Sequence, residues 1–318
     1  MLFGAILRRL FLSGLTMLLL SCFVFLATEI LPGDALDMTL TADEMSAMPP
    51  EALEQKRQEL GLDRPAIERL GVFLYQMARF DFGTTVITGA PVADIVWYPF
   101  RNSLALAGAT LSVALPLAFV FGIAAAVWRG RSVDGAVSGA AIVGYSIPEF
   151  VIGTVLVMLF SVAWPVFPAT ITANTRAPLP ELIDAAPLAI ATVVIGSVAY
   201  LTRILRACMI EALASDAVER LRLAGMPQAR IVFVHALPAA ILPALTAAAL
   251  YAAALVSGIV VVELLFAYPG IGQEMVRAVT MRETPVIQAI AILAAVVVVT
   301  ANLVADLSML ALDPRRRG

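Results

Sequence analysis

Six windows of this chain, at about 10–31, 103–128, 135–165, 186–208, 237–265 and 286–312, are each largely apolar for about 20 residues or more. No other feature restricts the fold so strongly. A helix of ~20 apolar residues rising 1.5 Å per residue matches the ~30 Å hydrocarbon thickness of a bilayer. Inside lipid, every backbone N–H and C=O must be satisfied within the chain, which leaves helices for segments of this length. The windows therefore predict an all-α membrane protein with six transmembrane helices. Composition agrees: 61% of the 318 residues are hydrophobic, 14% are charged and the mean hydropathy is +0.92. A soluble chain is nearer half apolar and a quarter charged. The first window follows Arg8 and Arg9 as a signal peptide would. Its apolar run is longer than a usual h-region, however, and no small-x-small cleavage site comes after it, so it reads as a retained helix. The two cysteines, Cys22 and Cys208, lie far apart in or beside apolar segments and read as small buried hydrophobes.

Arginines orient the six helices. Arg8 and Arg9, Arg129 and Arg131, Arg203 through Arg230, and Arg315 to Arg317 fall on loops of one side, alternating correctly across six spans. The first loop of the other side, residues 32–98, holds eleven acids against five bases. Both termini are thus expected in the cytoplasm and the acidic loop outside. That loop carries helical signals of its own. EALEQKRQEL after Pro50 stops at Gly61, and a second helix from Ala66 to about Phe80 is apolar at Ile67, Leu70, Phe73, Leu74 and Met77. The organisation is then a cytoplasmic N-terminus with the first helix (1–31), an extracytoplasmic loop subdomain (32–98) and a core of five helices (99–318).

Most catalytic chemistry is excluded by what the chain lacks. A P-loop needs a lysine after its glycines to reach the phosphates. The single lysine, Lys56, sits in EQKRQ with no glycine before it. One histidine, His235, cannot supply an HExxH zinc site, and no Gly-x-Ser-Gly motif is present. Neither cofactor nor metal is expected, and nothing points to nucleic acid. The exceptional residue inside a span is Glu149, directly after Pro148 in GYSIPEF, at about mid-membrane. A carboxylate there costs roughly 3 kcal/mol or more unless it is used or paired. Pro148 removes a helical hydrogen bond and favours a kink. Ser146, Pro148 and Glu149 are the candidates for lining a translocation path, the alternative being a structural pairing of Glu149 with a neighbouring helix. Asn302 and Asp306, at i and i+4 in the last span, read as helix–helix contacts.

One cytoplasmic segment, about 209–237, is too elaborate for a plain connection. In LTRILRACMIEALASDAVERLRLAG, Ile210, Leu213, Ala217, Leu221 and Ala224 keep helical spacing. Gly225 is placed as a helix stop, and Pro227 opens a second short helix, about 228–236, with Ile231, Val232 and Val234 beside Arg230. Pro238 and Pro243 lead into the fifth span. The reading is an amphipathic helix–turn–helix on the cytoplasmic surface, with His235 near its end.

These residues carry a resemblance. Glu211-Ala212, Gly225, Ile231 and Leu242-Pro243 are similar to the EAA loop of ABC importer permeases. The whole chain resembles the dipeptide/oligopeptide/nickel permease family, through LRRL at 7–10, LPGD at 31–34, LGLDRP at 60–65, FGTT at 82–85 and NSLAL at 102–106. SIPEF at 146–150, HALPAAILPALT at 235–246, YPGIG at 268–272 and ALDPR at 311–315 continue the series. The resemblance implies the type I ABC importer permease architecture, lodged in a bacterial or archaeal inner membrane. It implies a passive subunit that forms a pathway for peptides or a related small solute with a second, homologous permease, a heterodimer. Two separate ATP-binding subunits would dock on the coupling loop through Glu211, Ala212, Arg222, Gly225, Met226, Arg230, Ile231 and His235. An extracytoplasmic solute-binding protein would face the outer loop. Tyr268, Pro269, Gly270 and Gly272 would lie near the outer mouth, as a candidate gate. LRLAG at 221–225 departs from the family's usual ARAKG-like run and implies a correspondingly apolar groove on the ATPase. The competing reading is a self-contained ion-driven carrier or channel, which should show inverted repeats and several charges at mid-membrane.

Overall fold

The computed structural model describes residues 2–30, 49, 51 and 65–312. The EALEQKRQEL helix beyond Glu51, LPGD, most of LGLDRP and the end of ALDPR lie outside them. Among the described residues, five helices are long and apolar enough to cross a membrane: Ile6–Thr28, Val92–Val127, Pro187–Leu213, Gln228–Val256 and Thr284–Ser308. The bent pair Ser132–Ser146 and Glu149–Ala163, whose halves meet at 97°, reaches that length and apolarity when its halves are taken together. The helices are labelled α1 (Leu2–Ile30), α2 (Ala66–Ala78), α3 (Val92–Val127), α4 (Ser132–Ser146), α5 (Glu149–Val157) and α6 (Leu179–Asp184). They continue as α7 (Pro187–Leu213), α8 (Asp216–Leu223), α9 (Leu237–Gly258), α10 (Val260–Phe266), α11 (Ile271–Thr280) and α12 (Thr284–Leu312).

The third window is therefore not one straight helix, and the reason is local. Pro148 crowds the residue before it out of the α region. Ile147 accordingly takes φ −86°, ψ 125°, so α4 stops at Ser146 and α5 starts afresh at Glu149. A π-helical turn, Met158–Ala163, closes that segment. The second span also begins earlier than its apolar window, at Val92, because Pro91 fixes a helix start there and the polar turn through Arg101 stays helical.

Helix α7 is the centre of the bundle and packs on α3, α4, α5 and α9. Its faces bury Leu188, Ala189 and Val193 with Leu106, Val262, Phe266 and Tyr268 in the largest core cluster. Small residues bring helices close: a Cβ on Gly144 would lie 3.3 Å from that of Ala199. Helix α1 is peripheral and packs mainly on α12. Arg9 of α1 forms an ion pair with Asp306, so Asp306 does join two helices as its spacing suggested. Helix α2 lies across the pair, with the Phe73 ring tilted against that of Phe25 (ring centroids 5.6 Å) and Met77 buried beside Ile292. It ends at Ala78, and Ile67, expected on its apolar face, is exposed. Next comes a short hairpin-like loop, bridged between Thr84 and Pro91. Its Val86 and Ile87 amides donate to the carboxylate of Glu283, at 3.0 and 3.1 Å, which ties the loop to the start of α12.

Candidate functional site

Three places carry the residues singled out by sequence. At the basic end of the bundle, α7 closes with Glu211 and Ala212 in its last turn, and the backbone breaks at Ser215 (φ −71°, ψ 147°). Helix α8 restarts at Asp216 with two acids in its first turn and two arginines in its last, the order the helix dipole favours. The break shifts the apolar phase. Val218 and, in part, Leu221 pack on Leu213, Met209, Ile231 and Val232, whereas Ala217 and Ala224, expected on the same stripe, face outward. Gly225 then stops the helix as predicted. Its φ of +76° is left-handed, and the Met226 amide returns to the Leu221 carbonyl at 3.1 Å, the Schellman pattern.

Beyond Gly225 the chain differs from the predicted short helix. Gln228–Arg230 runs through a π turn, Ile231–Ala236, straight into α9, so the fifth span starts at Gln228 and no second surface helix is separate. The extra residue per π turn lets the helix absorb the missing amide of Pro238 without breaking. Pro227 is the residue before this helix rather than its first. Of the segment's named residues, Glu211, Arg222, Gly225, Arg230 and His235 are exposed, Ala212 and Met226 are half-buried and Ile231 is fully buried beneath α8. Sequence reasoning passed over the apolar groups that this platform leaves outside: Leu223, 83% exposed, and Phe233 and Val234. The platform is fastened to the α3–α4 turn from below. Asp134 accepts both Nε and a terminal nitrogen of Arg206 (2.6 and 2.9 Å), the Gly130 amide (2.9 Å) and the Ser138 hydroxyl (3.1 Å).

At the bend between α4 and α5, the Ser146 hydroxyl is spent on the Ile142 carbonyl of its own helix, at 2.8 Å. Glu149 starts α5 and lies over Gly196 of α7, where an added Cβ would come within 3.5 Å of its Oε1. Its carboxylate has no hydrogen bond or ion pair among the described residues.

At the opposite end, the YPGIG turn is built around a residue that sequence reasoning missed. Glu263 of α10 is completely buried. Its carboxylate accepts from the Ser103 hydroxyl of α3 and from the Gly272 amide at 2.7 Å. Ser103 in turn accepts the Ile271 amide at 2.8 Å. Asn102 donates to the carbonyls of Pro269 (2.8 Å) and Thr175 (2.9 Å), and the Tyr268 hydroxyl donates to the Asn102 carbonyl at 2.8 Å. A Cβ on Gly270 would collide with the Glu263 carboxylate, and one on Gly272 would fall 2.7 Å from Oε2 and 2.9 Å from the Val260 Cα. These glycines make room for a buried carboxylate as well as for a tight backbone. Beside the turn, Asp94, Tyr98, Arg176, Glu274 and Arg277 border a polar cleft of about 390 Å³, where burial raises the Glu274 carboxyl above its usual range and Arg277 opposes the shift.

Comparison with known proteins places this arrangement. Residues 118–318 match the family described as Binding-protein-dependent transport system inner membrane component. The chain is 31% identical over 313 residues to the oligopeptide transport system permease protein AppB of Bacillus subtilis, covering 98% of each. It is 32% identical over 304 residues to the glutathione transport system permease protein GsiC of Escherichia coli K12, covering 95% of each. With its membrane-crossing helices and end-to-end likeness to permeases, the chain belongs to the family of binding-protein-dependent transport system inner membrane components.

Proposed function

We propose that the chain carries peptides or a related small solute across the inner membrane as one of two permease subunits, a heterodimer, with both termini in the cytoplasm. Work would arrive from two ATP-binding subunits at the platform of α8 and the Gln228–Ala236 segment, and solute from an extracytoplasmic binding protein above the polar cleft. The observation that carries this reading is the platform itself. A rigid turn set by Gly225 holds exposed Leu223, Phe233 and Val234 next to the exposed Arg222 and Arg230, outside the core that Ile231 and Val232 complete. An apolar centre with arginines at its rim suits a protein partner. The LRLAG departure fits here, because Leu223 is the most protruding apolar side chain of the turn. Selection between a carrier with its own energy source and a driven permease falls to the second. The arginine-bearing platform has no use in a self-contained carrier.

The test is Leu223→Asp in the assembled transporter. Leu223 is exposed, so the bundle should fold unchanged, while ATPase co-purification and ATP-driven uptake should fall at least tenfold. Intact uptake with intact co-purification, in this variant and in Gly225→Asp, would place the docking surface elsewhere.

A further inference from the structure

The face that α4, α5 and α7 present beside Glu149 carries polar and aromatic side chains. On α7, Gly196, Tyr200, Arg203 and Ala207 fall on one stripe at helical spacing. Arg203 is exposed in the last third of α7, one turn before Arg206 and toward the basic end of the bundle, and it makes no ion pair among the described residues. Its guanidinium sits 5.5 Å above the centre of the Tyr145 ring. Tyr145 is 5.8 Å from Tyr200, and Tyr200 stacks on Tyr251 at 4.7 Å with an interplanar angle of 19°. The Tyr251 hydroxyl donates to Ser197 at 3.0 Å, next along α7 to the Gly196 over which Glu149 lies. A cavity of about 520 Å³ opens over Tyr145, Tyr200 and Arg203 at the Arg203 end of this row, bounded by Ser138 and Arg206, and Glu149 stands outside its lining. That is ample for a small organic solute.

A ladder of three tyrosines thus has an unpaired cation at one end and an unpaired carboxylate at the other. Gly196, beneath Glu149, and Arg203 are separated by seven residues of one helix, about 10 Å along its axis at 1.5 Å per residue. An extended tripeptide spans about that length. Arg206, the other cation at this cavity, is occupied by Asp134 and leaves Arg203 as the available one.

Resting on the reading of this chain as a permease, we propose that Glu149, Arg203 and the tyrosine ladder form a solute-binding station within the translocation path. The station takes a zwitterion of about three residues' length, with its ammonium at Glu149, its carboxylate at Arg203 and its middle lying on the aromatic faces. A second site of this kind would make the permease itself discriminate end groups, independently of the binding protein. The tyrosines would suit this role because aromatic faces hold amide planes and alkyl chains without selecting among them.

The experiment uses the complete permease–ATPase complex in nanodiscs without binding protein, titrated with trialanine, N-acetyl-trialanine and trialanine amide. The wild type should bind trialanine at least tenfold tighter than either blocked peptide. Arg203→Gln should weaken trialanine at least tenfold while leaving trialanine amide unchanged. Glu149→Gln should do the same for trialanine while leaving N-acetyl-trialanine unchanged. Arg203→Lys and Glu149→Asp should restore part of the discrimination and serve as folding controls. Equal weakening of all three ligands, no effect of either variant, or no binding of trialanine by the wild type overturns the station. A wild-type chain that fails to assemble with its ATPases would instead overturn the permease reading on which it rests.

Discussion

Glu263 and Glu149 are both carboxylates among apolar helices, yet the protein treats them in opposite ways. Glu263 is completely buried, and two donors converge on it from α3 and from the start of α11. Glu149 is half-buried and has no donor among the described residues. A buried carboxyl with two donors aimed at it holds parts together, because moving any part strands the others. A carboxyl with vacant acceptor sites is available to something that arrives. The same contrast runs between the ends of the bundle. The YPGIG turn is locked into α3 through Asn102, Ser103 and Tyr268, whereas the platform at the basic end keeps Leu223 and three arginines outside. The sequence-derived idea of a gate at Tyr268 to Gly272 would therefore require α10, α11 and that end of α3 to move as one body.

The comparison breaks first at Glu263. Glu263→Ala leaves the Gly272 amide and the Ser103 hydroxyl without their acceptor and should remove roughly 2–6 kcal/mol of stability. Thermal unfolding of the purified protein reads this as a large drop in midpoint, and a change too small to resolve would mean that the network holds nothing together. Gly272→Ala comes next. Its Cβ would press on Oε2 and on the Val260 backbone, and overpacking of this kind costs about 1–3 kcal/mol. Unfolding data showing an unstrained variant would mean that the turn can yield, which would revive it as a mobile gate. Glu149→Gln should have the smallest effect on unfolding, within about 0.5 kcal/mol, since no partner is left behind. It should nevertheless reduce uptake in vesicles. A loss of stability matching that of the Glu263 variant would erase the distinction.

The sequence made much of this legible, and for physical reasons. Apolar windows near the bilayer thickness locate the spans, and a glycine between an arginine-rich helix and a proline marks the stop at Gly225. Pro148 announced a disturbance in the third span. Its extent, a 97° turn, depends on where α5 packs against α7 and α10, which no local pattern encodes. The helix break at Ser215 put the apolar stripe of α8 out of register with that of α7, so Ala217 and Ala224 were misassigned. The π turn before Pro238 hid the continuity of the fifth span, because both prolines read as punctuation. Glu263 escaped notice since its partner Ser103 stands 160 residues away. Within VVELLF it is merely one acid at the edge of an apolar run.

That separation also sets an order of assembly. The Ser103 hydroxyl receives its amide partner from Ile271, 168 residues later. At ~5–20 residues per second of synthesis, α3 waits roughly 10–30 s in or beside the membrane before that partner exists. Asn102 finds Thr175 after 73 residues, but through the whole interval Ser103 is a polar group without its later partners. Truncation before residue 272 would leave a chain whose helices can all insert up to that point but whose Ser103 end of α3 has nothing to close upon.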